Sequence, residues 1–157
     1  MTEAKVDKLK LGAFLSLIRF NDVVTRYLAV EFMRHGSSSM RMMLMNALFL
    51  SGGSMSPTEL SRHIFRTRHS ITSMVDTLER QGLVRREPNI KDRRSINITL
   101  TPEGRRLFER MVPVGYEISQ KALSCLSDAE VVALKRLIRR VREHLLEQIA
   151  NSQTKPT

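Results

Sequence analysis

The stretch that decides the fold runs from Glu59 to Leu100, ELSRHIFRTRHSITSMVDTLERQGLVRREPNIKDRRSINITL. Its apolar residues change period on the way. Ile71, Met74, Val75 and Leu78 recur every three or four residues, the spacing of one packed helix face. Thr67 stands where it can cap that helix and Gly82 where a left-handed residue ends one, so the spacing predicts a helix over 68–81. From Leu83 the period falls to two. Leu83 to Glu87 reads as a strand, and Ser95 to Thr101 alternates, with Ile96, Ile98 and Leu100 inward and Ser95, Asn97 and Thr99 outward. The turn between them, Pro88 to Arg94, is polar and basic. Upstream, Ser56-Pro57-Thr58-Glu59 is a capping box with proline at the first helical position, opening a short helix that extends to about Phe65 before a break at Arg66-Thr67. Two helices joined by a short break and followed by a basic hairpin describe a winged helix-turn-helix.

Long helices flank this unit. Lys8 to Arg34 holds no proline, and Leu11, Phe14, Leu15, Ile18, Val24, Leu28 and Phe32 keep helical spacing up to His35-Gly36, where Gly36 suits a left-handed cap. Ser37 to Ser39 offer caps for a helix from Met40 to Leu50, apolar on most sides and closed by Gly52-Gly53. Beyond the hairpin, Thr101-Pro102-Glu103 starts a helix that can extend to Leu126, with a possible kink at Pro113. Ser127-Asp128-Ala129-Glu130 is a second capping box. It opens a last helix whose Val131, Leu134, Ile138, Val141, Leu145 and Ile149 form one apolar stripe. The tail from Asn151 reads as frayed. The expected fold is mainly α with a small β-hairpin wing: a single domain over 1–157, with dimerisation helices at 8–36 and 102–150 and a DNA-binding lobe at 38–101 whose wing is 83–101. One small lobe cannot bury the apolar stripes of both the first and last helices, and a second copy is the simplest cover.

Charge says what such a lobe would meet. The 157 residues carry 26 Lys+Arg against 16 Asp+Glu, a net +10, which calls for a polyanionic partner. Between Arg62 and Arg110 there are twelve Lys/Arg and six Asp/Glu, so most of the excess sits in the winged-helix segment. The apolar runs are too short to cross a bilayer, and MTEAKVDKLK lacks the apolar core of a secretory signal. The lone Cys125 permits neither an internal disulfide nor a cysteine-based zinc site; a reducing, cytoplasmic setting is expected, with no membrane partner.

Projected at 100° per residue, the 68–81 helix turns His69, Ser73 and Arg80 away from its packed face, flanked by Ser70, Thr72 and Thr77. Small hydroxyls let a helix sit deep in the major groove, while His and Arg donate to base edges or phosphates. The expected contacts are Arg68, His69, Ser70, Thr72 and Ser73, with Arg66 and Thr67 near phosphates. Asp76 lies near that face and is expected to pair with Arg80 one turn on. At the hairpin tip, Arg93 and Arg94 suit a minor groove, with Asp92 steadying one guanidinium.

These residues also carry a family resemblance. Glu59-Leu60-Ser61, Ile71-Thr72, Val75-Asp76, Leu78-Glu79, Gly82-Leu83-Val84, Asp92-Arg93-Arg94-Ser95 and Leu100-Thr101-Pro102-Glu103-Gly104 together resemble the DNA-binding lobe of the MarR (multiple antibiotic resistance regulator) family. The resemblance, which the flanking helices extend over nearly the whole chain, implies a homodimer with intertwined terminal helices. It implies a sequence-specific, usually repressing transcriptional regulator on a pseudo-palindromic operator in double-stranded DNA, released by a small effector. Arg86 lies near where family members hold a small anionic ligand, and the methionine-rich second helix borders the effector cleft. Met42, Met45, Thr72 and Arg86 are therefore the expected pocket for an aromatic or anionic effector. Core filling is the simpler role for the methionines.

Two other readings stay open: a sequence-blind architectural binder of nucleic acid, and a winged-helix docking module for proteins. An enzyme is not expected. There is no Gly-rich phosphate loop, no HExxH and no Cys/His ligand spacing, so neither cofactor nor metal is expected, and His69, Ser70 and Asp76 share one helix, which cannot build a catalytic triad. The family's peroxide-sensing branch carries its cysteine in the first helix. Cys125 lies elsewhere and is expected to be a small buried hydrophobe.

Overall fold

A computed structural model describes residues 7–89 and 95–153 of the chain. They form six helices, α1 (Lys8–Arg34), α2 (Ser39–Leu50), α3 (Pro57–His63), α4 (Arg68–Arg80), α5 (Pro102–Leu123) and α6 (Asp128–Gln153), with strands β1 (Ser54–Met55), β2 (Val84–Pro88) and β3 (Ile96–Leu100). The contacts group into two units, Met1–Gly115 and Tyr116–Thr157.

Local chemistry sets the helix ends of the first unit. Ser38 caps α2 by accepting from the Arg41 N–H, and Thr67 caps α4 by accepting from that of Ser70. At α3 the box closes both ways: Ser56 Oγ accepts from the Glu59 N–H and the Glu59 carboxylate from the Ser56 N–H. A cap of this kind is worth about 1 kcal/mol. The Ser56 main-chain bond, with its hydroxyl second, holds the Glu59 carboxyl below the usual carboxylate range. Gly36 and Gly82 end α1 and α4 in the left-handed region, at φ 68° and 69°.

The helix-turn-helix and wing share one core. Leu44, Met45 and Leu48 of α2, Leu60 of α3, Ile71 and Val75 of α4, Val84 of β2 and Ile98 of β3 are fully buried in it. Phe108 and Met111 of α5 join them, and Phe108 stacks at a tilt on Phe49, with ring centroids 4.8 Å apart. Gly104 permits the close seating of α5, because a β-carbon there would collide with the Leu83 carbonyl oxygen.

The sheet has three strands, in the order β1-β3-β2, all antiparallel. β1 is the strand the alternation pattern did not announce. At two residues it has no period to read, and it exists through pairing of Ser54 with Thr99 and Met55 with Ile98. The inward assignment of Ile96 is corrected: it is 50% exposed, because it pairs with Pro88 at the end of the ladder farthest from the core.

In the second unit, α5 ends at Leu123, three residues before Leu126, and the Ser127 box opens α6, with the Glu130 N–H bonded to Ser127 Oγ and the Ser127 N–H to Glu130. Helix α6 continues through Asn151 to Gln153, past the expected end at 150. Cys125 is exposed, not buried, since it sits in the turn between the helices. No helix among the described residues is long and apolar enough to cross a membrane, and none of their His, Cys, Asp and Glu side chains cluster as a metal site.

Candidate nucleic-acid interface

Helix α4 carries the site. Ile71, Val75 and Leu78 lock one face into the core, which turns Arg68, His69, Thr72, Ser73, Thr77 and Arg80 outward; all six are exposed. Its hydroxyls are partly occupied. Thr72 Oγ1 donates to the Arg68 carbonyl at 3.0 Å, leaving its oxygen lone pairs for incoming donors, while Thr77 Oγ1 donates to that of Ser73 at 3.1 Å and accepts from Arg80. The Ser70 and Thr67 hydroxyls meet at 2.9 Å, so those two belong first to the cap. Among the described residues, Arg66, Arg68 and His69 make no side-chain ion pair with a carboxylate. Three exposed donors thus stand together at the start of α4, next to free main-chain N–H groups.

The acid on this face is neutralised differently from the expectation. Asp76 does not pair with Arg80. Its carboxylate is held by Arg86 of β2, whose guanidinium also grips Glu79, while Glu79 accepts from the Arg86 N–H at 2.9 Å. Arg80 instead donates to the Asp76 carbonyl oxygen and to Thr77 Oγ1, each at 3.3 Å. Arg86 follows Val84 by two residues and so shares its side of β2, where α4 packs. The Asp76 bond, with Glu79 behind it, raises the Arg86 pKa further above its ordinary value. The triad ties the recognition helix to the root of the wing. The other side of β2 carries its own pair, Arg85 to Glu87 at 2.8 Å.

The four residues expected to hold an effector have different surroundings. Met42 and Met45 are buried in the core, Thr72 is exposed on the outer face of α4, and Arg86 is taken by its two carboxylates. A cavity of about 170 Å³ does lie between the start of α2 and α4, lined by Ser38, Met40, Arg41, Ser73, Met74, Thr77 and Leu78. Sequence reasoning missed Arg41, whose signal was a lone cation in the first turn of a largely apolar helix. At the wing tip, Asp92, Arg93 and Arg94 lie outside the described residues.

The comparisons with known proteins agree with this architecture. The MarR family model matches residues 35–95. The HTH-type transcriptional repressor YetL of Bacillus subtilis is 32% identical over 133 residues, covering 82% of this chain and 78% of the relative. Among solved structures, a mutant MarR from Escherichia coli complexed with operator DNA superposes with a TM-score of 0.73 at 23% identity, over 89% of this chain and 99% of that one. Bordetella bronchiseptica BpsR, solved in a study of how 6-hydroxynicotinic acid regulates its DNA binding, gives 0.73 at 22% identity, over 90% and 97%. Helix order, a sheet-rooted wing and a likeness that runs well beyond the DNA-binding lobe converge: the chain belongs to the MarR family of transcriptional regulators.

Proposed function

We propose that the protein is a homodimeric, cytoplasmic repressor that seats two copies of α4 in successive major grooves of a pseudo-palindromic operator. The observation that carries this reading is the outer face of α4. It presents Arg68, His69, Thr72 and Ser73 to solvent, and its one acid, Asp76, is neutralised from behind by Arg86. Arg66 and Thr67 lie beside the phosphates, Ser70 backs the helix start, and Arg93 and Arg94, with Asp92 beside them, enter the flanking minor grooves. Two-fold symmetry sets the recognition helices about 34 Å apart, one helical turn of DNA.

Dimerisation is supported by the long helices. Leu9, Phe14, Ile18 and Val23 of α1 and Ile138, Val141, Leu145 and Ile149 of α6 are exposed in the single chain. Apolar rows of that length need a cover, and a second copy supplies one.

Release by an effector is the regulatory half of the reading. A cavity near 150 Å³ is enough for one benzene ring. The space between α2 and α4 therefore suits a single-ring acid, with Met40, Met74 and Leu78 around the ring and Arg41 toward the carboxylate. Ser73 and Thr77 line both the cavity and the recognition helix, so an occupant that displaces α4 spoils the spacing of the two helices.

The test is selection of sheared genomic DNA on the purified protein at about 0.15 M salt. An enriched pseudo-palindrome is expected. Retention without an enriched sequence makes the protein an architectural binder, and no retention makes the winged helix a protein-docking module.

A further inference from the structure

Phe65 sits where neither the backbone nor the core asks for it. It follows the C-cap residue Ile64 of α3 and holds φ at 52°, the only non-glycine among the described residues with positive φ. The surrounding bonds impose that angle. The Arg66 N–H returns to the Ser61 carbonyl at 3.1 Å, closing the end of α3, and Ser61 Oγ donates to the Arg66 carbonyl at 2.6 Å. Glycine or asparagine satisfies such a position without strain, whereas an aromatic residue there is a conformational outlier. The ring gains little from packing in return, since Phe65 is 66% exposed. A large apolar side chain that is strained and exposed together points to a function outside the fold.

The surroundings say what it meets. Phe65 lies two residues before Thr67, the N-cap of α4, and exposed Arg66 and Arg68 stand on either side of that cap. A surface so basic repels cationic partners and draws polyanions. The apolar groups a DNA duplex offers at the rim of its major groove are deoxyribose C–H groups and thymine methyls.

We infer that Phe65 is a DNA-contacting residue of this protein, its ring packing on a deoxyribose or a thymine methyl at the rim of the groove that α4 enters. The inference rests on the operator reading above and adds a contact that hydrogen-bonding residues do not supply. Phosphate charge brings the turn to the duplex, and the ring then tells an apolar rim position from a polar one.

Two substitutions separate contact from fold. Phe65→Asn keeps a residue tolerant of the left-handed region and removes the ring, while Phe65→Tyr keeps the ring. On the duplex enriched by the wild type, followed by fluorescence anisotropy, Phe65→Asn is expected to bind about tenfold more weakly and Phe65→Tyr within about twofold of wild type. The thermal midpoint of Phe65→Asn is expected to equal or exceed that of the wild type. Unchanged affinity in Phe65→Asn overturns the inference, as does an equal loss in both variants. A lower midpoint in Phe65→Asn also overturns it, since the ring would then belong to the fold. Replacing rim thymines by uracil tells the two contacts apart: a penalty smaller in Phe65→Asn than in wild type places the ring on a methyl, and equal penalties place it on the sugar. If the wild type enriches no sequence, the operator reading fails on its own, and the same affinity ratios on random duplex decide the role of Phe65.

Discussion

The lobe from α2 to β3 and the terminal helix α6 show equally regular apolar spacing, yet they finish differently. In the lobe, Leu44, Met45, Leu48, Leu60 and Ile71 disappear from solvent entirely. In α6 no described residue is buried, and Val132, Leu137, Ile138, Val141, Leu145 and Ile149 all stay exposed. The difference teaches that periodicity records a face in need of cover without saying what covers it. The lobe folds back on itself; α6, on the reading proposed above, waits for a second copy.

Five variants bear on that contrast. The largest effect is expected from charging the α6 stripe with Ile138→Asp and Leu145→Asp together. Sedimentation should show a monomer, and operator affinity should fall by about 10²–10⁴-fold as the paired half-site contacts are lost. A dimer that persists with full affinity would erase the distinction between the two regions. Next comes Leu60→Ala, on the fully buried face of α3, which should remove about 2–5 kcal/mol from the unfolding free energy in urea. The exposed Val132→Ala on α6, by contrast, should leave the lobe's transition where it is.

Arg86→Ala should lower stability by less, about 0.5–1 kcal/mol, because the triad is partly open to solvent. Its stronger signature is expected in binding. With Asp76 and Glu79 no longer neutralised, operator affinity should drop most at low salt and depend less steeply on salt, since added ions screen the new repulsion from the phosphates, a change visible in a titration across ionic strength. The smallest effect belongs to Glu59, whose carboxyl is held low by the Ser56 main-chain bond. A carboxyl lowered in the folded state stabilises it above the ordinary carboxylate range and loses that contribution as pH falls through the lowered value. The stability gap between wild type and Glu59→Gln should therefore be open at pH 7 and close on acidification, read from urea midpoints across the pH range.

What the sequence revealed and what it hid divide along one physical line. Signals carried within a few residues were legible: both serine–glutamate boxes, the glycines after α1 and α4, and the packed stripe of Ile71, Val75 and Leu78. Features that exist through distant pairing were not. β1 is two residues made into a strand by Thr99 and Ile98, and the partner of Asp76 is ten residues away across a helix–strand contact, out of reach of an i,i+4 rule. Ile96 obeyed its alternation but lay beyond the end of the core it pointed toward. Phe65 was read as a helix end, since nothing in an Ile-Phe-Arg run announces a left-handed angle.

The short strand β1 has a consequence for the speed of assembly. Its seam joins residues 45 apart in the chain, with the Ser54 and Thr99 hydroxyls meeting at 3.0 Å and the Leu100 N–H reaching the Gly53 carbonyl at 2.8 Å. The β2–β3 ladder and the α3–α4 pair close over far shorter loops. Loop-closure entropy therefore favours hairpin and helix-turn-helix first, with the β1 seam joining last. Bonds made after the rate-limiting step act on unfolding alone. Weakening Ser54 or Met55 would then leave the refolding rate of the lobe nearly unchanged and shorten the lifetime of the folded state.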